Sequence, residues 1–337
     1  MKALRITLAV LLFLLLALFG TLAAVATNPR AMEFVIRQVL RSAAPEVTEF
    51  SIGSLVYSFP ASWTMGGVRA TVLAKGVPAR LFAGQLEITD ALHLLSDGKS
   101  AGVEVRNVEA ACEDLRVRGA LCRAEVSRSS GGMMYSGAVF VADVSQDALR
   151  ASEIRVEFSG DEQTAFLSNL TAKVYGGTLS GGGWTGLVQP AAYDFTLDAK
   201  SIDCTELEQA LGGFFRELGG KLSGRLHVAG AGRRVEVFDT AWDMPSGGAV
   251  GAELLSSLTD YLPDSAQKKR IDFLIRSGGK LAVESFRFTL KNDSPQQLSG
   301  LLGIESREAN LKLNVTHEIR VDTRIDSLWQ AWQTALQ

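Results

Sequence analysis

The sequence predicts a mostly β fold: an N-terminal transmembrane helix, then a long, curved antiparallel sheet with a few short capping helices. Three observations carry this prediction. From about residue 46 the apolar residues recur with period two, the mark of strands with one apolar and one wet face. Glycine is abundant at 33 residues and proline scarce at 8, which suits tight turns and bent strands better than a helical bundle. Ahead of the strands stands one long apolar run, residues 6–26. The chain has 337 residues, 47% hydrophobic and 21% charged, so it is globular and long enough for one large or two ordinary domains.

The N-terminus sets the compartment. Lys2 and Arg5 precede ITLAVLLFLLLALFGTLAAVA, and no further charge follows before Arg30. At the helical rise these 21 positions span roughly 31 Å, the thickness of one hydrocarbon core. The basic end stays cytoplasmic, which places the remainder outside the cytoplasm. A cleaved signal peptide is the alternative, because Ala24-Val25-Ala26 is an acceptable cleavage sequence. Both readings agree on export; residues 1–28 are taken as the anchor. An amphipathic helix follows over 29–45, with Met32, Val35, Ile36, Val39 and Leu40 on one face and Arg30, Arg37 and Arg41 on the other. It either rests on anionic headgroups or plugs one end of the folded domain.

The strands are read from alternation. YDFTLDAK sets Tyr193, Phe195, Leu197 and Ala199 against Asp194, Thr196, Asp198 and Lys200. KLSGRLHVAG sets Leu222, Gly224, Leu226 and Val228 against Lys221, Ser223, Arg225 and His227. FRFTLK does the same with Phe286, Phe288 and Leu290, and NLKLNVTHEIRVD with Leu311, Leu313, Val315, His317, Ile319 and Val321. Helices interrupt rarely. ITDALHLLSDG (88–98) holds a turn or two, and CTELEQALGGFFREL (204–218) opens on a capping box from Thr205 to Glu208. Residues 251–279 read as two helices divided at Pro263, and 326–337 as a terminal amphipathic helix carrying Trp329 and Trp332.

The patterns that would announce chemistry are missing from the sequence. Net charge is −3 and no basic face is interleaved with aromatics, which argues against nucleic acid. His93, His227 and His317 lie on separate segments, no Cys-x-x-Cys pair occurs, and no metal-ligand spacing is present. Gly181 to Gly186 matches G-x-G-x-x-G but runs into strand-like text, and Gly219-Gly220-Lys221 imitates a P-loop with Leu222 where Ser or Thr belongs. Neither a cofactor nor a catalytic residue is assigned, and the chain reads as a non-enzyme. The Lys268-Lys269-Arg270 triplet is the wet side of a helix or a contact for anionic lipid. Cys112 and Cys122 are either a cross-strand disulfide or, with Cys204, three small buried residues.

VYGGTLSGGG, residues 174–183, spends five of ten positions on glycine around Tyr175. Glycine weakens strands but allows bulges, coiling and close approach of another backbone. The stretch resembles the C-terminal region of the AsmA-like family of bacterial envelope proteins. That pattern is a Tyr-Gly-Gly strand (Tyr175, Gly176, Gly177), a Gly/Ser turn, the strand from Tyr193, a helix carrying Leu207 and Leu211, and a Leu-x-Gly strand (Leu222 to Gly224) ending in glycines. About 60 residues carry the strong part of the resemblance, and the N-terminal half agrees more loosely. The chain departs from the family in being short.

The resemblance implies a taco-like β-groove over residues 46–325, apolar within and polar outside, periplasmic and anchored in the inner membrane as a single-pass protein. It implies a role in phospholipid movement towards the outer membrane, or in envelope homeostasis, and brings no catalytic residues. The groove candidates are then Tyr193, Phe195, Leu197, Leu222, Leu226, Val228, Phe286, Phe288, Leu290, Leu311, Leu313, Val315 and Ile319. A filled sandwich core would show the same alternation. The rival is a non-enzymatic assembly component of an envelope or secretion complex, with Trp329 and Trp332 as its docking face.

Overall fold

The computed structural model describes Gln38 and residues 47–320, apart from 59–61, 75–76, 92, 94–98, 131, 189–190, 212–217, 233, 252–254, 257–265, 295–296 and 308–310. The expected anchor, most of the 29–45 helix and the terminal helix with Trp329 and Trp332 lie outside the described residues. Among those described, no helix is long and apolar enough to cross a membrane. The fold is mostly β, every described ladder is antiparallel, and the helices are few and short. The chain divides into two compact units, Met1–Glu162 and Gln163–Gln337.

The first unit is a meander. β1 (Val47–Ser51) and β2 (Ser54–Ser58) pair along successive parts of β3 (Ser62–Ala74), as one strand broken at Ile52-Gly53. The order then runs through β4 (Val77–Thr89), β5 (Ser100–Cys112), β6 (Leu115–Ser129), β7 (Gly132–Gln146) and β8 (Leu149–Gly160). Several strands carry a left-handed residue near the middle: Gly67 in β3, Asn107 in β5, Gly119 in β6 and Glu153 in β8. Register shifts accompany those in β5 and β6. Such bulges bend a strand locally and raise its twist. The core gathers at the β3–β5 side, where Phe50, Trp63, Met65, Leu86, Ile88 and Val103 are buried.

The second unit starts with β9 (Thr164–Val174), β10 (Gly177–Gly186) and β11 (Ala192–Asp203), which leads directly into α1 (Cys204–Leu211). β12 (Leu218–Ala231) and β13 (Arg234–Asp243) continue the sheet. β13 then pairs with β16 (Ser285–Ser294), which is followed by β17 (Gln297–Ser306) and β18 (Leu311–Arg320). Between β13 and β16 lies an insertion. β14 (Gly248–Val250) pairs with the start of β12, α2 (Ala266–Ser277) follows, and β15 (Leu281–Val283) pairs with β14. This insertion caps one end of the unit.

Three local readings are revised. The α1 helix is capped by Asp203, not Thr205: the Asp203 carboxylate accepts the N–H groups of Thr205 at 2.8 Å and Glu206 at 3.4 Å. Leu218, expected on that helix, opens β12 instead. Of the expected helix at 88–98, Ile88 and Thr89 belong to β4, and the described Ala91 and His93 make a 3₁₀ turn. Leu255 and Ser256 are helical and α2 begins at Ala266, which gives helix on both sides of Pro263.

Candidate functional site

Register turns the alternation of single strands into one surface. Tyr193, Phe195 and Leu197 on β11 stand opposite Gly230, Val228 and Leu226 on β12. Val228, Leu226 and Gly224 in turn face Phe238, Thr240 and Trp242 on β13. Thr240 and Trp242 meet Leu290 and Phe288 on β16, and Phe286, Phe288 and Leu290 meet Ile304, Leu302 and Gly300 on β17. Directly opposed residues in an antiparallel pair share a face, so these rows line one side of the sheet. Leu222 joins them opposite Ile202. On β18 the register sets Leu311, Leu313, Val315 and Ile319 opposite Ser306, Ile304, Leu302 and Leu298; the side chains of these four lie outside the described part.

Burial along this face is graded. Phe286 and Leu222 are 2% and 5% exposed, packed in a closed core with Ile304, Met244 and Cys204 beneath the cap formed by Val250, Leu255, Ile271, Leu281 and Val283. They are core residues. Tyr193, Phe195, Leu197, Leu226, Val228, Phe288 and Leu290 are half-buried. The face is thus filled at the capped end and partly open along the remaining rows. The opposite face is polar and paired: Arg225 donates to Asp198 at 2.7 Å, His227 lies 2.9 Å from Asp194, and Lys312 lies 2.8 Å from Glu305.

The glycine-rich stretch is the floor of this face. Val174 and Gly177 pair across a two-residue turn, in which Tyr175 has φ 45° and Gly176 φ 68°. Both central residues are left-handed, the turn that matches strand twist in a tight hairpin. The Tyr175 carbonyl accepts the Asp203 N–H at 2.8 Å, and Tyr175 packs against the Ala199, Ile202 and Leu207 cluster. The Tyr-Gly-Gly motif therefore docks the β9–β10 hairpin onto the β11–α1 junction. Further along, a Cβ on Gly183 would sit 2.5 Å from the Phe195 ring, and one on Gly224 2.5 Å from the Trp242 ring. Each ring therefore occupies the space that a side chain on the neighbouring strand's glycine would take.

The first unit carries an equivalent face that alternation had not singled out. Trp63, Ile88, Val103, Ala124, Gly137 and Phe158 form one cross-strand row, and Met65, Leu86, Val105, Cys122, Val139 and Val156 the next. These rows too pass from buried at β3–β5 to half-buried at β7–β8. The signal was present in EIRVEF, where Ile154, Val156 and Phe158 alternate with charges. Cys122 lies within this face, and burial raises its thiol to about 11. Cys204, sealed beneath the cap, is likewise raised to about 11, by burial first and then by Asp203. All three cysteines are free thiols. Cys122 pairs with Val105, seven positions along β5 from Cys112, so the two cysteines are separated by about 20 Å, too far for a disulfide.

No family model, curated protein or solved structure matches this chain. Among the described residues, no three His, Cys, Asp or Glu side chains cluster in a metal-binding arrangement. His227 is spent on Asp194, and His93 lies 3.0 Å from the Ser100 carbonyl. What the arrangement offers is apolar area of graded accessibility, which suits a flexible hydrocarbon better than a polar substrate.

Proposed function

We propose that this is an inner-membrane-anchored, periplasmic, non-enzymatic protein that holds or conducts lipid acyl chains along the apolar face of its sheets. The observation that carries the reading is the row of half-buried Phe195, Leu197, Leu226, Val228 and Leu290, continuous across strands and filled only beneath the cap. Apolar faces of this extent are seldom left partly open without an occupant. Transferring an acyl chain of about 15 methylenes out of water is favourable by on the order of 12 kcal/mol, and an apolar sheet face recovers much of that. The Tyr-Gly-Gly hairpin and the Leu-x-Gly strand agree with the AsmA-like resemblance, and the apolar segment 6–26 with a membrane anchor.

The test uses the full chain and a phospholipid bearing a photoactivatable acyl chain, with adducts mapped by mass spectrometry. Adducts are expected on β11, β12 and β16 among the half-buried rows and not on the capped residues. Adducts confined to residues 6–26 would defeat the reading.

A second reading, docking within an envelope complex, has one observation of its own. Phe166 and Trp184 are opposed on the polar face, 48% and 37% exposed, in a cross-strand row that ends at exposed Val237. Aromatic residues set among polar neighbours favour protein contacts. Crosslinks from Trp184 to one protein, with no lipid adducts on the inner face, would select it.

A further inference from the structure

We infer that the first unit carries an anion site for a phosphate group, on the face of its sheet opposite the apolar rows. The inference rests on the lipid reading for the source of the phosphate, but on separate residues. At the β1 side of the first unit is an open depression of about 880 Å³, lined by β1 and β3–β6. Arg69, Arg80, Arg116 and Arg118 all line it. In register, Arg80 and Arg116 flank Ala111 in one cross-strand row, while Arg69 lies in the next row beside Phe82.

Some arginines elsewhere on the polar faces are held by carboxylates. Arg106 and Arg123 share the Glu104 carboxylate at 2.7 and 3.1 Å, which holds that carboxyl below its usual range, and Arg225 is joined to Asp198. Among the described residues Arg80, Arg116 and Arg118 have no ion-pair or hydrogen-bond partner, and Arg69 lies over the Phe82 ring, 5.9 Å from its centre. Two carboxylates share the depression. Glu49 accepts the Thr71 hydroxyl at 3.0 Å, and Glu109 is paired with no arginine. Asp143, opposite Arg118 on β7, makes no ion pair with it. Among the described lining residues, four positive groups stand against two negative, a balance of +2 in a chain whose net charge is −3.

Unpaired guanidiniums gathered in one hollow repel one another, and a phosphate removes that repulsion while offering the oxygens their planar forks fit. Phe82, opposite Arg69, shares the arginine face, whereas Leu81 and Val117 alternate with Arg80 and Arg116 and take the other face of the sheet. The chemistry assigned is a phosphate-bearing anion. A lipid headgroup and a free phosphate are its two sources, and the experiment separates them.

Full-length protein is equilibrated with mixed micelles of phosphatidylglycerol and phosphatidylcholine in equal amounts, and bound lipid is quantified by mass spectrometry. A parallel titration uses inorganic phosphate alone. Wild type should enrich the anionic lipid about ten-fold, and the triple variant Arg80→Gln, Arg116→Gln, Arg118→Gln should lose that enrichment while keeping its total lipid. Arg225→Gln, on the second unit's polar face, should keep the enrichment. Phosphate binding that the triple substitution abolishes, with no preference between lipids, supports the anion site and assigns it to free phosphate. The proposal is overturned if neither lipid preference nor phosphate binding responds to the triple substitution. Equal uptake of both lipids by every protein would overturn the headgroup role and leave the acyl-chain reading intact. No lipid on any protein would end both roles in lipid handling.

Discussion

At the scale of single residues, glycine is where sequence and geometry meet most closely. The richness of 174–183 in glycine marks a bent, close-packed strand region, but composition alone does not say which glycine lies beneath which ring. Gly224 lies under Trp242, and a branched side chain there meets both the ring and the Ala241 carbonyl. Gly224→Val should therefore lower stability by about 1–3 kcal/mol, read as a fall in unfolding midpoint. The cysteines give a second check. A thiol raised to about 11 is roughly 0.1% thiolate at pH 8, so alkylation of Cys122 and Cys204 should be slow. Iodoacetamide on the folded chain should label Cys112 first, and mass spectrometry should find no Cys112–Cys122 bridge without reductant. Rapid labelling of Cys204 would show that the cap opens readily.

At the scale of elements, the strands were legible because period two is a local property. YDFTLDAK, KLSGRLHVAG, FRFTLK and LKLNVTHEIR (Leu311–Arg320) all lie on strands, with their apolar positions on one face by register. Helix ends were less legible, since a cap depends on where the preceding strand stops. Thr205 satisfies the capping pattern, yet β11 runs to Asp203 and the helix follows at once, so the aspartate is the residue placed to receive the free N–H groups. Asp203→Ala should cost about 1 kcal/mol and Thr205→Ala much less, a difference visible in denaturant midpoints. The strands β14 and β15, three residues each, were not legible at all. Such short pieces carry no period, and only the apolar surface of Leu218 and Phe286 beneath them gives them a place.

At the scale of the whole chain, the same design recurs in two units: an apolar face closed at one side and half-buried across the remaining strands. Alternation cannot separate a closed core from an accessible trough, because Leu222 and Leu226 occupy equivalent positions in one strand. The cap contributed by Val250, Leu255, Ile271, Leu281 and Val283 makes Leu222 core and leaves Leu226 partly open. The two classes should respond differently to substitution. Phe286→Ala, under the cap, should destabilise by about 3–5 kcal/mol while the folded fraction keeps its bound lipid. Leu197→Asp with Leu226→Asp, and Val139→Asp with Val156→Asp, change half-buried positions and should each remove about half of the bound lipid at a smaller loss of stability. Lipid-to-protein ratio and unfolding midpoint, measured together on the four proteins including wild type, separate the outcomes. If the second unit alone holds lipid, only the Leu197/Leu226 pair will lower the ratio, and the first unit's face must then serve another partner. If stability and lipid fall in parallel for all three variants, the half-buried rows are ordinary core and the trough holds nothing.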